Sequence, residues 1–133
     1  IVETRRAGRI RADYGCEGFL GPYEREARAT PFFCRAGVNV GSVLADGSIS
    51  ACPSLRGDYL QGNIYRDSFL DCWDNRFQIM RDRSWTRTGD CADCTAYRWC
   101  EGNGLHLRAE KTGRLLRCHL KMLEEAAGRS GKP

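Results

Sequence analysis

The sequence predicts an α+β fold, on three observations. Residues 38–52 alternate with the period of two that marks a β-hairpin, and Asp46-Gly47 breaks the alternation where a turn belongs. Residues 68–83 repeat apolar side chains at the spacing of one helix face. Residues 91–104 crowd three cysteines and the turn-forming run Gly102-Asn103-Gly104 into a segment too irregular for either element.

Each element follows from local chemistry. Residues 1–15 are rich in arginine and lack apolar periodicity, so residues 1–33 read as a linker or arm from a preceding domain. A short helix is expected within 20–30, because Pro22 suits a first helical position. In the hairpin, Val38, Val40, Ser42 and Leu44 alternate with Asn39, Gly41, Val43 and Ala45. A two-residue type I′ turn at Asp46-Gly47 would set Ala45 opposite Ser48 and Gly41 opposite Cys52. Cys34 then lies seven residues beyond the position facing Cys52, so the two thiols share a site only if residues 35–40 curl back. Residues 53–66, with Pro53, Gly57 and Gly62, read as an irregular loop. In the helix, Ser68 is the expected N-cap, Asp71 stands at the third helical position, and Phe69, Trp73, Phe77 and Met80 form the core stripe. After a linker at 84–90 and the cysteine loop, a last helix is expected over 115–127. Leu116, Leu120 and Leu123 would share its face, Gly128 would stop it, and residues 128–133 would form a tail.

Bulk properties narrow the function. The 133 residues suit one domain, and 41% hydrophobic content is enough for a modest core. A net charge of +4 is too small to argue for nucleic acid. The basic groups Arg5, Arg6, Arg9 and Arg11, and then Arg108, Lys111, Arg114 and Arg117, read as solvated faces. No apolar run has the length of a membrane span, and a chain starting with Ile is expected to be a segment of a longer protein.

Eight cysteines carry the strongest chemical signal. Cys91, Cys94 and Cys100 follow C-x2-C-x5-C, and Cys118 comes eighteen residues later. A C-x-x-C turn sets two sulfurs on one side of a loop, so four such thiols can close around one metal centre. Thiolate ligation excludes hard cations and leaves structural zinc or an iron–sulfur cluster. A second C-x-x-C typical of zinc modules is missing, and the x5 gap is wide for a zinc knuckle. His106 and His119 are possible substitutes for a thiolate. Thiolates imply a reducing compartment, which fits a cytoplasmic protein; a disulfide framework would imply the opposite. Cys72, inside the helix, reads as a small buried hydrophobe. Cys16 is either a free loop thiol or a ligand.

The chain from Cys34 to Cys118 resembles the SPASM domain, the auxiliary iron–sulfur module that follows the barrel of many radical S-adenosylmethionine enzymes. Gly47-x4-Cys52 matches the family's G-x4-C with Cys34 upstream, Cys91, Cys94 and Cys100 match its C-x2-C-x5-C, and Cys118 matches the last cysteine. The stretch QGNIYRDSFLDCW is similar to the segment between the two cysteine groups. One departure stands out. The family's next thiol, three residues past Cys100, falls on Gly104.

The resemblance implies a cluster-binding domain over 34–127, with one 4Fe–4S cluster on Cys91, Cys94, Cys100 and Cys118. A second site at Cys34 and Cys52 is left incomplete. It is lost, or it borrows Cys16, Cys72 or His106, or the chain follows the shorter twitch pattern with Cys34, Cys52, Cys91 and Cys94 as the single cage. By resemblance the parent is a peptide- or protein-modifying radical S-adenosylmethionine enzyme, and the partners are its N-terminal barrel and a peptide or protein substrate. The radical-generating C-x3-C-x2-C is absent from this segment, so the segment alone is not expected to be catalytic. The competing reading is a structural zinc module for protein or nucleic-acid recognition.

Overall fold

The computed structural model describes residues 1–55, 57–109 and 111–130. It is an α+β arrangement of short helices around a three-stranded antiparallel sheet in the order β1-β2-β3. The strands are β1 (Ser42–Val43), β2 (Ser48–Ser50) and β3 (Gly62–Asn63).

The hairpin forms where expected, in a register shifted by one residue. Ser42 pairs with Ser50 and Val43 with Ile49. The turn therefore holds three residues, Ala45-Asp46-Gly47, rather than two. Leu44 closes it by donating to Ser48 O and accepting from the Gly47 amide, at 2.8 and 2.9 Å. Two side-chain features select this turn. Asp46 Oδ1 accepts from the Ser48 amide at 3.0 Å, and Gly47 adopts φ 83°, which only glycine enters without strain. A one-residue shift exchanges the faces of every strand side chain, and here it points Ile49 into the core.

The expected loop at 53–66 contains the third strand. Ile49 pairs with Gly62 and Ser48 with Asn63. Asp67 secures this edge: its Oδ2 accepts from the Asn63 amide at 2.9 Å, and its Oδ1 meets Arg76 at 2.9 Å. Flanked on both sides, β2 is buried along its length.

The expected helix at 68–83 begins as α3 (Phe69–Asp71), with Ser68 Oγ accepting from the Asp71 amide. It widens into a π turn at Cys72–Arg76, resumes as α4 (Gln78–Arg81), and ends two residues early. Carbonyls in the widened turn take side-chain donors: Arg81 donates to Trp73 O at 2.6 Å and Gln78 to Asp74 O at 3.1 Å. The stripe packs as its spacing requires. Phe77 and Met80 are fully buried with Ile49, Ala51 and Leu105, and Phe69 and Trp73 flank them. Cys72 is fully buried in the same core, as its position in the helix predicted.

Residues 35–40 curl back. Arg35 O accepts from the amides of Val38, Asn39 and Val40, and Ala36 bridges to Val40. Arg81 pins the curl to the helix by donating to Gly37 O at 2.8 Å.

The first thirty residues are more structured than their composition indicated. They hold α1 (Val2–Ala7), a 3-10 turn at Gly21–Tyr23 and α2 (Glu24–Ala27). The buried pair Glu24–Arg28, at 3.2 Å, organises this region. The Glu24 carboxylate accepts from the Leu20 and Phe32 amides, each at 2.7 Å.

The last helix, α6 (His119–Ser130), starts later than expected and runs through Gly128. The late start has a cause. Leu115 bridges Arg108 and Leu116 donates to Leu107 O, which holds residues 115 and 116 extended. Glycine lowers helix stability by about 1 kcal/mol relative to alanine but does not by itself end a helix. Residues 131–133 of the expected tail lie outside the described residues. Among the described residues no helix is long and apolar enough to cross a membrane.

Burial pushes the Cys72 thiol pKa up, with Arg76 acting in the opposite direction. A raised thiol pKa contributes stability below the ordinary thiol pKa and loses it as pH rises through the folded value. The metal-free chain is therefore expected to lose unfolding free energy above about pH 8.5. The Cys72→Ala variant should lose less, as read from urea midpoints at neutral and alkaline pH.

Candidate metal centre

The cysteine loop is built from tight turns that aim its sulfurs one way. A 3-10 turn at Gly89–Cys91 delivers Cys91, and Cys94 O accepts from the Tyr97 amide as α5 (Tyr97–Cys100) begins. α5 ends in three consecutive positive-φ residues, Glu101, Gly102 and Asn103. This left-handed run reverses the chain immediately after Cys100. Gly102 is required there, since its φ is 77° and a Cβ would clash with Thr86 Oγ1 and come within 2.6 Å of Arg108 Nη2.

Cys91, Cys94, Cys100 and Cys118 line one cavity of about 540 Å³. Cys91 stands close enough to Cys94 and Cys118 to feel their charges, and Cys100 likewise feels Cys91 and Cys94. Cys118 enters from the residue before α6, and its carbonyl accepts from the Met122 amide at 3.1 Å. All eight cysteines are free thiols. Among the described residues, no three Cys, His, Asp or Glu side chains are gathered as tightly as a single metal ion requires.

The sulfurs meet donors. Burial pushes the Cys100 thiol pKa up, although the neighbouring backbone N–H groups of Gly102 and Asn103 act to lower it. Cys91 is likewise raised by burial, against the nearby guanidinium of Arg108, whose Nη2 donates to Cys91 Sγ at 3.4 Å. These donors do little for a neutral thiol and much for a thiolate, so the site suits an occupant that keeps its sulfurs ionised.

The scaffold behind the cavity is a polar lattice. Tyr97 Oη donates to Arg83 O at 2.7 Å and lies 2.9 Å from Thr86 Oγ1. Asn103 Oδ1 accepts from the Phe19 and Gly104 amides, each at 3.1 Å. Sequence reasoning missed these residues, and it placed Arg108 on a solvated face. The structure corrects that placement: Arg108 is 2% exposed. Its position between apolar Leu107 and Ala109, just after the cysteine loop, was the available signal.

The remaining predicted residues lie elsewhere. Cys34 and Cys52 pack, half-buried, against the central core and do not line the four-thiol cavity. The curl that a shared site for them requires is present at 35–40. Cys16 is exposed. At Gly104, where the family pattern has a thiol, a Cβ would come within 2.7 Å of the His106 ring, so the imidazole fills the space that a side chain there would need. His119 Nδ1 is buried without a hydrogen-bond partner among the described residues, and burial lowers its pKa.

Comparison with known families gives one match, which takes in part of this arrangement. Residues 34–95 match the SPASM family, an iron–sulfur cluster-binding domain. The match bears out the resemblance read from the cysteine spacing, and a SPASM domain implies iron–sulfur cluster binding. It covers a little under half of the 133 residues, taking in Cys34, Cys52, Cys91 and Cys94 and stopping short of Cys100 and Cys118. No curated protein and no solved structure matches the chain.

Gly102 offers a test of the turn. Gly89 has φ 54° but open space around its Cβ position, so Gly89→Ala should cost only left-handed strain, about 1–2 kcal/mol. Gly102→Ala adds the clash with Thr86 and is expected to cost more, and to reduce iron loading as well. Thermal unfolding and iron content of the two variants check this.

Proposed function

We propose that the chain is the auxiliary-cluster domain of a radical S-adenosylmethionine enzyme of the cytoplasm, one that modifies peptides or proteins. It would hold one 4Fe–4S cluster on Cys91, Cys94, Cys100 and Cys118. The observation that carries this reading is the cavity those four thiols line, with the Arg108 guanidinium donating to the Cys91 sulfur. A tetrahedral zinc site holds its sulfurs about 2.3 Å from the ion, hence close together. Among the described residues no three Cys, His, Asp or Glu side chains are gathered for a single ion, which favours a larger inorganic core.

When bound, the cluster supplies one-electron redox chemistry. The chain's own residues do the rest. The left-handed turn at 101–103 keeps the Gly102 and Asn103 N–H groups near Cys100, where they favour its ionised form, and Arg108 donates to the sulfur of Cys91. These donors stabilise sulfur-borne negative charge and thereby set how readily the site takes an electron. The twitch-like cage of Cys34, Cys52, Cys91 and Cys94 is less well supported, because Cys91 and Cys94 share their cavity with Cys100 and Cys118. The partners in this reading are the N-terminal barrel of the parent enzyme and a peptide or protein substrate near its mouth.

Serine variants reconstituted anaerobically with iron and sulfide test the cage. Cys100→Ser and Cys118→Ser are expected to lose the visible sulfur-to-iron absorption, and a Cys34→Ser/Cys52→Ser double variant is expected to keep it. The reverse pattern would assign the cage to the twitch set. A colourless wild-type chain holding one zinc would replace the cluster reading with the structural zinc module.

A further inference from the structure

Arg108 is the most deeply buried charged residue beside the four-thiol cavity. Its guanidinium donates to Gly102 O at 2.9 Å, Gly113 O at 2.6 Å and Thr86 O at 3.1 Å. The nitrogen that reaches Thr86 O also reaches Cys91 Sγ. The guanidinium carbon lies 5.8 Å from the Trp85 ring centre. Among the described residues no carboxylate pairs with it.

That last fact separates Arg108 from Arg28, which is also buried but paired with Glu24. Among the described residues Arg83, also buried, donates to the carbonyls of Met80 and Asn103 and to no carboxylate. Two buried cations that no described carboxylate pairs with therefore stand behind a cavity lined by four thiols. The cavity's carboxylates, Asp90, Asp93 and Glu124, are solvent-exposed. Buried charge is costly without an opposite charge nearby. Carbonyl dipoles and the Trp85 ring answer part of that cost, and among the described residues the other hydrogen-bond acceptor of Arg108 is the Cys91 sulfur.

We propose that Arg108 is the residue that sets the reduction potential of the four-cysteine site, by donating Nη2–H to the Cys91 thiolate and placing a fixed, desolvated positive charge beside the cluster. The inference rests on the cluster reading above. Adding one electron makes the cluster and its thiolates more negative by one unit. A cation held in place and shielded from water stabilises that reduced form more than the oxidised one, so it raises the potential. The hydrogen bond to sulfur acts in the same direction. Arg108 is thus a positioning residue acting through Cys91, not a ligand.

The test uses the 133-residue chain loaded anaerobically with iron and sulfide, as wild type, Arg108→Lys and Arg108→Met. Iron and sulfide per chain are measured first, and the midpoint potential is then read by titration against the electron paramagnetic resonance of the reduced cluster. Full loading with a lower potential in Arg108→Lys, and a lower one still in Arg108→Met, is the expected result. Full loading with an unchanged potential would overturn the role of Arg108 and leave the cluster reading intact. A wild-type chain that takes up no cluster would overturn both. Should Arg108→Met fail to fold, wild type labelled with nitrogen-15 arginine carries the test by pulsed resonance. A nitrogen coupling present in wild type and lost in Arg108→Lys supports the contact, and its absence from wild type contradicts it.

Discussion

One buried guanidinium joins the parts of the C-terminal half. Arg108 binds carbonyls of Thr86, Gly102 and Gly113 and touches the sulfur of Cys91, so four separate stretches of chain converge on a single planar group. Its effective desolvation penalty is several kcal/mol, and the hydrogen bonds made by its fork of donors offset part of it. Lysine at this place would have three donors on a flexible stem and could not hold the same four partners. The group thereby links the left-handed turn at 101–103 to the loop that carries Cys91. Arg108 pairs with Leu115 across a backbone bridge, and that pairing keeps the chain extended until Cys118 has been delivered to the cavity.

The sheet and the core serve the same end at one remove. β2 is buried on both sides, and Ile49 and Ala51 carry the core to Leu105, the residue that follows the cysteine loop and Gly104. The loop is therefore anchored on the core at its exit and by the Thr86–Tyr97–Arg83 network on its other side. A guanidinium aimed at a sulfur is of most use when that sulfur is ionised. The electrostatics of the site thus agree with the iron–sulfur cluster-binding family that residues 34–95 match.

Much of this was legible in the sequence because it rests on periodicity and spacing. The apolar stripe of Phe69, Trp73, Phe77 and Met80 predicted the buried helix face, Ser68 its cap, and C-x2-C-x5-C with Cys118 the four thiols of one cavity. The errors have physical causes. The hairpin register slipped by one because Asp46 caps Ser48, which favours a three-residue turn that the Asp-Gly pair alone does not reveal. The third strand was hidden because Gly62-Asn63 has no strand propensity and is held by Asp67 and Arg76. Composition could not place the first thirty residues, whose order depends on the Glu24–Arg28 pair. Arg108 looked like one member of a basic surface run, since only tertiary contacts show that its partners are carbonyls and a thiol.

The central claim is that Cys91, Cys94, Cys100 and Cys118 form a cage for an iron–sulfur cluster. Mössbauer spectroscopy of the chain isolated without oxygen from cells grown on iron-57 tests it most directly. The account predicts about four iron atoms per chain in a spectrum dominated by one four-iron cluster with thiolate ligands. A spectrum of unclustered iron, or a chain that carries zinc and no iron, would contradict it.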